Sequence, residues 1–302
     1  MTTGDTSAGT ISSLRAGQVV EGVFACTRKD RLFTRSGTPY LALELRDRSG
    51  SIAARAFQGA DALAGRFERG ELVRVSGRVE RFRDEPVVEV TDIARVEAEL
   101  VDPGAFLPVA YRDLDELDGF LEHLAGEVRD RGYAALLSEL LGDRSLRAAW
   151  RRAPCTRAGH HAYLGGLLEH TVAVATLALE VCQLHVRLNQ DLLLTAAIVH
   201  DLGHTRGFVY GAEIGLSDEG RLLGHLVIGE RMISERAGML DDRRRLELLH
   251  CVLCHHGAAG APGGRFGSVE ALALYRINAL DASVKGAVEH GLGLESTPGR
   301  AP

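Results

Sequence analysis

Along residues 11–98 the hydrophobic and polar positions follow a strand period. Tyr40–Asp47 alternates with a period of two, Arg48-Ser49-Gly50 supplies a turn, and Ser51–Phe57 reads as the returning strand. Gln18–Phe24, Leu72–Val79 and Pro86–Val90 read as three more strands, and Ala60–Phe67 as a short helix-like piece before the fourth strand. Five short strands with a helix in that place predict a small OB-type barrel. The plainer alternative is a β-barrel that holds no ligand.

The pattern changes after Val101–Pro108, a stretch with two prolines and a glycine that breaks regular structure. From Asp113 onward apolar residues recur at three-four spacing: Leu114, Leu117, Phe120, Leu121 and Leu124, then Leu136, Leu137, Leu140 and Leu141. Helix is predicted to dominate as far as Gly291. The expected helices are Leu167–His185, which reads as amphipathic, then Asp191–Leu202 with Gly203 as its stop, Glu219–Ala237, Asp241–His256 and Ser268–His290. The predicted fold class is therefore multidomain: an N-terminal β-barrel over 11–98, a linker over 99–112 and an all-α bundle over 113–292. Short tails are expected at 1–10, read as disordered, and at 293–302. No internal repeat is present.

Composition changes this picture little. A chain of 302 residues suits two domains. The five cysteines are odd in number and scattered, which argues against a disulfide framework and suits a reducing cytoplasm. No apolar run reads as long enough to span a bilayer, and the N-terminus lacks the basic and apolar regions of a secretory signal, so no membrane partner is expected.

Charge adds more. The whole chain carries a net charge of −6, yet residues 11–95 hold 15 Arg and Lys against 12 Asp and Glu. Within that basic segment Phe33, Tyr40, Phe57 and Phe82 lie among Arg28, Lys29, Arg31, Arg35, Arg55 and Arg81. Aromatic rings that stack bases, with arginines that meet phosphates, are how OB-folds hold single strands. Phe33, Arg35, Tyr40, Arg55 and Phe57 are the expected contacts. The competing reading places these rings in the barrel core.

The chemistry concentrates in the helical half, where eleven of the twelve histidines fall between His160 and His290. The candidate ligands are His170, His200, Asp201, His225, His255, His256 and Asp281. Apart from the adjacent pairs, each comes from a different predicted helix, which suits a metal pair held between facing helices of a bundle. Imidazole and carboxylate suit manganese, iron, zinc or cobalt more than soft, thiophilic ions. Asp201 can bridge two ions through its two oxygens, and two metals roughly 3.5–4 Å apart can polarise a phosphoryl group and activate its attacker.

Other features take the bland reading. Cys251-x-x-Cys254 has no second half and reads as core, His250 as structural, and His123, His185 and His290 as surface residues. Glu169 reads as a residue that orients a ligand. The Gly260–Gly264 loop is not followed by a Lys-Ser/Thr pair and reads as a mobile loop, not a phosphate cradle.

The ordered set His170, His200-Asp201, Asp281 resembles the H…HD…D signature of HD-domain metal-dependent phosphohydrolases, and His225 with His255-His256 resembles the extra ligands of their two-metal branch. The run His160–Thr171, the run Glu219–His225 and His255-His256-Gly257, preceded by a barrel, resemble the YhaM-like 3′-5′ exoribonuclease family over about residues 11–290. That resemblance implies an OB-fold joined to an HD domain. It also implies an enzyme that degrades single-stranded RNA, or alternatively DNA, from the 3′ end. Its cofactors would be two divalent ions, manganese foremost, with iron, cobalt, zinc or magnesium as alternatives. One ion would be held by His170, His200, Asp201 and Asp281, the other by Asp201, His225, His255 and His256.

One departure stands out. The family form HD-x-G-K becomes His200-Asp201-Leu202-Gly203-His204 here, so Asp201 and His204 are the catalytic candidates, with a bare helix-end role as the alternative for His204. His161, Arg206, Arg221 and Lys285 are the candidate substrate contacts. Two other functions stay open at this stage: hydrolysis of a small nucleotide or cyclic dinucleotide, and non-catalytic nucleic-acid binding. The lack of a Gly-Tyr-Pro run weakens the cyclic-dinucleotide form. A homo-oligomer is left open.

Overall fold

The computed structural model describes residues 10–97 and 100–291, and the chain forms two compact units. The expected tails fall almost wholly outside the described residues.

The first unit comprises Met1–Pro108 and Val209–Gly215. Its strands are β1 (Val19–Phe33), β2 (Pro39–Asp47), β3 (Gly50–Ala56), β4 (Leu72–Phe82) and β5 (Glu85–Val96), with helix α1 (Ala60–Ala64) before β4. They close a barrel in the order β1-β2-β3-β5-β4. The alternation in β2 decides which side faces inward: Leu41, Leu43 and Leu45 are buried, while Ala42, Glu44 and Arg46 are less so. Each such leucine contributes about 1.5–3 kcal/mol by leaving water, and Leu43→Ala would cost about 2–5 kcal/mol.

Strand β1 runs 15 residues, far longer than the expected Gln18–Phe24. Its first half pairs with β4 and its second with β2, and a bulge between Cys26 and Arg28 lets it change partner. The expected linker is described from residue 100 onward. Asp102 caps a short 3-10 turn at Pro103–Ala105, and Phe106 and Leu107 are buried. Phe106 packs with Ala25, Leu72 and Ala212, and the Arg46 guanidinium donates to the Ala212 carbonyl at 2.5 Å.

The second unit comprises Val109–Phe208 and Leu216–Pro302. Its helices are α2 (Leu114–Gly126), α3 (Arg131–Gly142), α4 (Arg144–Arg152), α5 (Gly166–Leu184), α6 (Gln190–Val199), α7 (His204–Gly207), α8 (Asp218–Leu222), α9 (Gly224–Ser234), α10 (Asp242–Leu253) and α11 (Val269–His290). Side chains cap most starts: Asp113 on α2, Asp130 on α3, Asp143 on α4, Asn189 on α6, Ser217 on α8, Asp241 on α10 and Ser268 on α11.

Three expectations need correction. The run Glu219–Ala237 is two helices, because the chain breaks at Gly224, whose φ is +72°. A short hairpin, β6 (Phe208–Tyr210) and β7 (Ile214–Leu216), lies where no strand was expected. Helix α5 is long and apolar enough, by length and composition, to cross a membrane. Its residues Gly166–Val172 are all buried, as are Val174, Ala175, Ala178 and Cys182, so it is the core helix of the bundle.

Candidate metal centre

Two close backbone approaches build the centre. Gly166 opens α5, and a Cβ there would lie 2.2 Å from the His161 carbonyl oxygen, so glycine lets the loop before α5 lie against it. Gly203 was expected as a helix stop, but its φ of −61° is right-handed. Its function is space: a Cβ at Gly203 would lie 2.0 Å from the His225 carbonyl oxygen. That approach brings the start of α9, and with it His225, against the turn that carries His200 and Asp201.

His170 lies in the second turn of α5, and His200-Asp201 just past α6. His225 opens α9, His255-His256 follow α10, and Asp281 is mid-way along α11. The structure brings six of the seven together at Asp201, which is 3% exposed, and sets Asp281 against the other ring nitrogen of His170. Its Oδ2 faces His200 Nε2 at 3.4 Å and His170 Nε2 at 3.6 Å. Its Oδ1 faces His255 Nε2 at 3.2 Å, His225 Nε2 at 3.6 Å and His204 Nε2 at 3.7 Å. The two oxygens therefore serve two separate sets of donors.

Hydrogen bonds at the other ring nitrogen orient the imidazoles. His170 Nδ1 lies 2.6 Å from Asp281 Oδ2, His200 Nδ1 2.9 Å from the Ala197 carbonyl and His255 Nδ1 2.6 Å from the Val252 carbonyl. An Nδ1–H donated there leaves a neutral imidazole with a lone pair on Nε2. Yet His170 Nε2 and His200 Nε2 are only 3.2 Å apart, and His225 Nε2 and His256 Nε2 only 3.0 Å. Asp201 Oδ1 and His255 Nε2 are buried without hydrogen-bonding geometry to any partner. Lone pairs that converge on a carboxylate are reconciled by positive charge, and a divalent ion on each side of Asp201 fits both sets.

The titration directions agree with this crowding. Burial lowers His225 and His256 to about 4 and His204 to about 3. Burial also lowers His170, against the raising effect of its bond to Asp281. At His200 burial is outweighed by the charge and hydrogen bond of Asp201, so the direction is up. At Asp201 burial is outweighed by the charges of His200 and His204, so its carboxyl is held well below the usual range.

The remaining candidates separate. His204 lines a cavity of about 410 Å³ together with Asp201, His225, His255 and His256. It stacks on His225 with centroids 4.2 Å apart and on Phe208 at 5.2 Å. His161 is 1% exposed and bonds inward, its Nε2 3.0 Å from Asp281 Oδ2 and its Nδ1 2.9 Å from the Tyr163 hydroxyl. Lys285 donates to Glu169 at 2.9 Å, and Glu169 accepts from Tyr163 at 2.9 Å. Arg206 pairs with Glu219 at 2.9 Å and Arg221 with Asp218 at 3.0 Å. None of these three cations lines the cavity. Cys155 and His160 do line it; His160 was read only as part of the run His160–Thr171, and Cys155 was not singled out. The only signal was a cysteine five residues ahead of a His-His pair.

In the barrel unit Phe33, Phe57 and Phe82 are exposed, while Phe24 and Phe67 fill the core instead. Tyr40 stacks on Phe57 with centroids 5.2 Å apart, the Arg55 guanidinium lies 3.8 Å above the Phe82 ring and that of Arg31 4.9 Å above Phe33. Arg35 is exposed in the turn between β1 and β2. The pairing register sets the end of β1, the start of β2 and the end of β3 side by side, so Phe33, Tyr40 and Phe57 share one end of the barrel.

Comparison with known proteins agrees with both units. Residues 8–96 match the family model for an OB-fold nucleic-acid-binding domain, and residues 167–283 match the HD domain. The chain is thus an HD-domain protein that carries an OB-fold ahead of its catalytic-type unit. It is 29% identical over 254 residues to the 3′-5′ exoribonuclease YhaM of Bacillus subtilis, covering 82% of this chain and 80% of that one. It is 28% identical over 273 residues to the YhaM of Bacillus velezensis, covering 89% and 86%. Over most of its length the chain is similar to the YhaM-like 3′-5′ exoribonucleases.

Proposed function

We propose that this protein is a metal-dependent phosphodiesterase that degrades single-stranded RNA from the 3′ end, with DNA as a lesser substrate. The observation that carries the reading is Asp201, whose two oxygens each face a different set of histidines. When bound, two divalent ions supply Lewis-acid polarisation of the scissile phosphoryl group. The residues that would hold them are His170, His200, Asp201 and Asp281 on one side and Asp201, His225, His255 and His256 on the other. Manganese suits both sets, which offer only nitrogen and oxygen.

His204 takes the place of the family's lysine. Its imidazole is neutral at physiological pH and points into the cavity, so it can share a proton with a phosphate oxygen but adds no fixed charge. The exposed rings and arginines of the barrel supply stacking and phosphate contacts that tolerate any sequence. A 410 Å³ cavity accommodates a single nucleotide, which keeps the small-nucleotide reading in the same test.

The test is to incubate the manganese-loaded protein with 5′-labelled single-stranded RNA, the matching DNA, and a panel of nucleotides and cyclic dinucleotides. A ladder of products shortened from the 3′ end is expected. Hydrolysis confined to the nucleotide panel would overturn the exonuclease reading.

A further inference from the structure

The cavity at the metal centre holds one guanidinium. Among its described lining residues Arg157 is the only arginine or lysine. Arg157 is exposed, and among the described residues its side chain has no ion pair and no hydrogen bond. Arg206, Arg221 and Lys285, by contrast, are each paired with a carboxylate and do not line the cavity.

The loop between α4 and α5 presents Arg157 on a braced turn. The Cys155 N–H donates to the His161 carbonyl at 3.1 Å, and the Thr156 hydroxyl donates to the His160 carbonyl at 2.7 Å. The turn reverses through Gly159 and His161, whose φ values are +120° and +50°. It is also tied to the end of α11. The Gly159 carbonyl accepts from His290 Nε2 at 2.8 Å, and the His161 N–H donates to the Glu289 carboxylate at 3.1 Å. Arg157 therefore stands on backbone that is already fixed, and little backbone order is lost when it meets a ligand.

Another part of the lining comes from α11. Tyr275, Asn278, Ala279 and Ala282 stand at i, i+3, i+4 and i+7, and so share one face of that helix. Tyr275 is half-buried, and its ring is tilted against Phe266 with centroids 5.6 Å apart. Ala279 and Ala282 are small and leave room for a planar group beside that ring. The cavity thus offers three chemistries: the donors around Asp201, a guanidinium without a partner, and an aromatic ring among small side chains. Those are the requirements of a nucleotide, which needs cations for its phosphate and a π-face for its base.

We propose that Arg157 clamps the phosphate that enters this cavity, and that the Tyr275 face of α11 receives the base joined to it. Arg157 then carries the fixed positive charge that an imidazole at position 204 does not. A guanidinium offers two parallel N–H donors to a phosphate, a fit that a single ring nitrogen lacks. This rests on the reading of the centre as a phosphodiesterase site, and it names the residues that hold the terminal nucleotide there.

The test uses the manganese-loaded full chain and two probes, adenosine 5′-monophosphate and adenosine, with affinities read by calorimetry. Both should bind, the monophosphate more tightly. Arg157→Met should weaken the monophosphate at least about ten-fold and leave adenosine unchanged, because only a charged hydrogen bond to phosphate is lost. Unchanged adenosine affinity also shows that the variant is folded. Tyr275→Leu should weaken both probes alike, by roughly 5- to 150-fold, since stacking is common to them. An unchanged monophosphate affinity in Arg157→Met, or equal losses for both probes, would overturn the clamp. A wild-type chain that binds neither probe yet shortens RNA from the 3′ end would overturn the subsite and leave the exonuclease reading intact. The expected pattern without an RNA ladder would support the clamp and overturn the exonuclease reading alone.

Discussion

The barrel and the helical unit place their functional side chains in opposite ways. In the barrel, Phe33 is 60% and Phe57 41% exposed, and both lie outside a core already filled by Phe24 and Phe67. In the helical unit His170, His200 and His255 are wholly buried. A surface that must accept any base needs exposed rings and solvated arginines, because stacking and phosphate contacts form with whatever strand arrives. A centre that must hold two cations needs lone pairs locked in place, and burial does that by fixing each ring through its second nitrogen. Binding and hydrolysis should therefore be separable by mutation.

The largest effect should come from Asp201→Ala. Removing the one carboxylate shared by both donor sets should abolish binding of both ions and reduce RNA cleavage to background. Affinity for single-stranded RNA, read by fluorescence anisotropy, should stay at the wild-type value. Two ions per chain by elemental analysis of the variant would refute the shared role of Asp201.

Barrel variants should show the mirror image. Phe57→Ala and Tyr40→Ala should each lose about 1–3 kcal/mol of single-strand binding, roughly 5- to 150-fold in Kd, with metal content unchanged. Arg55→Ala should instead flatten the dependence of log K on log salt, by about 0.7 for each phosphate that is no longer neutralised. If all three variants bound RNA like the wild type, the exposed rings would have another purpose.

His204→Ala probes the smaller contribution of a neutral side chain in the cavity. Loss of one neutral hydrogen bond to a phosphate corresponds to about 0.5–1.5 kcal/mol, so turnover should fall by roughly 2- to 13-fold. A fall of 10²-fold or more would instead identify His204 as a general acid or base. Unchanged turnover would leave it only its packing against His225 and Phe208.

The smallest effect concerns acid. The helical unit caps α2, α3, α4 and α10 with aspartates, whereas the barrel strands are joined by backbone ladders that do not titrate. Asp143 is held at about 2 by hydrogen bonds from the Leu146 N–H and the Ser145 hydroxyl, and Asp113 and Asp241 are lowered by backbone N–H donors in the same way. A carboxyl depressed in the folded state contributes stability that is fully present above its unfolded value of about 3.9 and is lost as the pH falls through its folded value. The helical unit should lose stability in acid between about pH 4 and pH 2, and Asp143→Ala should flatten part of that loss. Circular dichroism melts at several pH values would measure it, and an unchanged acid slope in Asp143→Ala would refute the contribution.

Much of this was legible in the chain. Leu41, Leu43 and Leu45 announce an inward face, and the three-four spacing from Leu114 announces helix, because both signals are local and periodic. The break at Gly224 was not, since a glycine inside an apolar run signals a bend only when φ turns positive. Nor was the hairpin at Phe208–Leu216, whose strands of three residues are too short to show a period. His161, Arg206, Arg221 and Lys285 read as substrate contacts by type and neighbourhood, but the side-chain partners of His161 and Lys285 lie 120 and 116 residues away, beyond the reach of local pattern.

The sequence by itself determined the two units, the seven ligand-type residues and the departure at His204, because each rests on residue identity and spacing along one helix or strand. Only the tertiary structure decided which donors share a shell. Gly203 brings His225 against the His200-Asp201 turn, and the packing of α11 on α5 sets Asp281 against His170. Coordination is a matter of a few ångströms and of which ring nitrogen is free, and those follow from packing between elements distant in the chain.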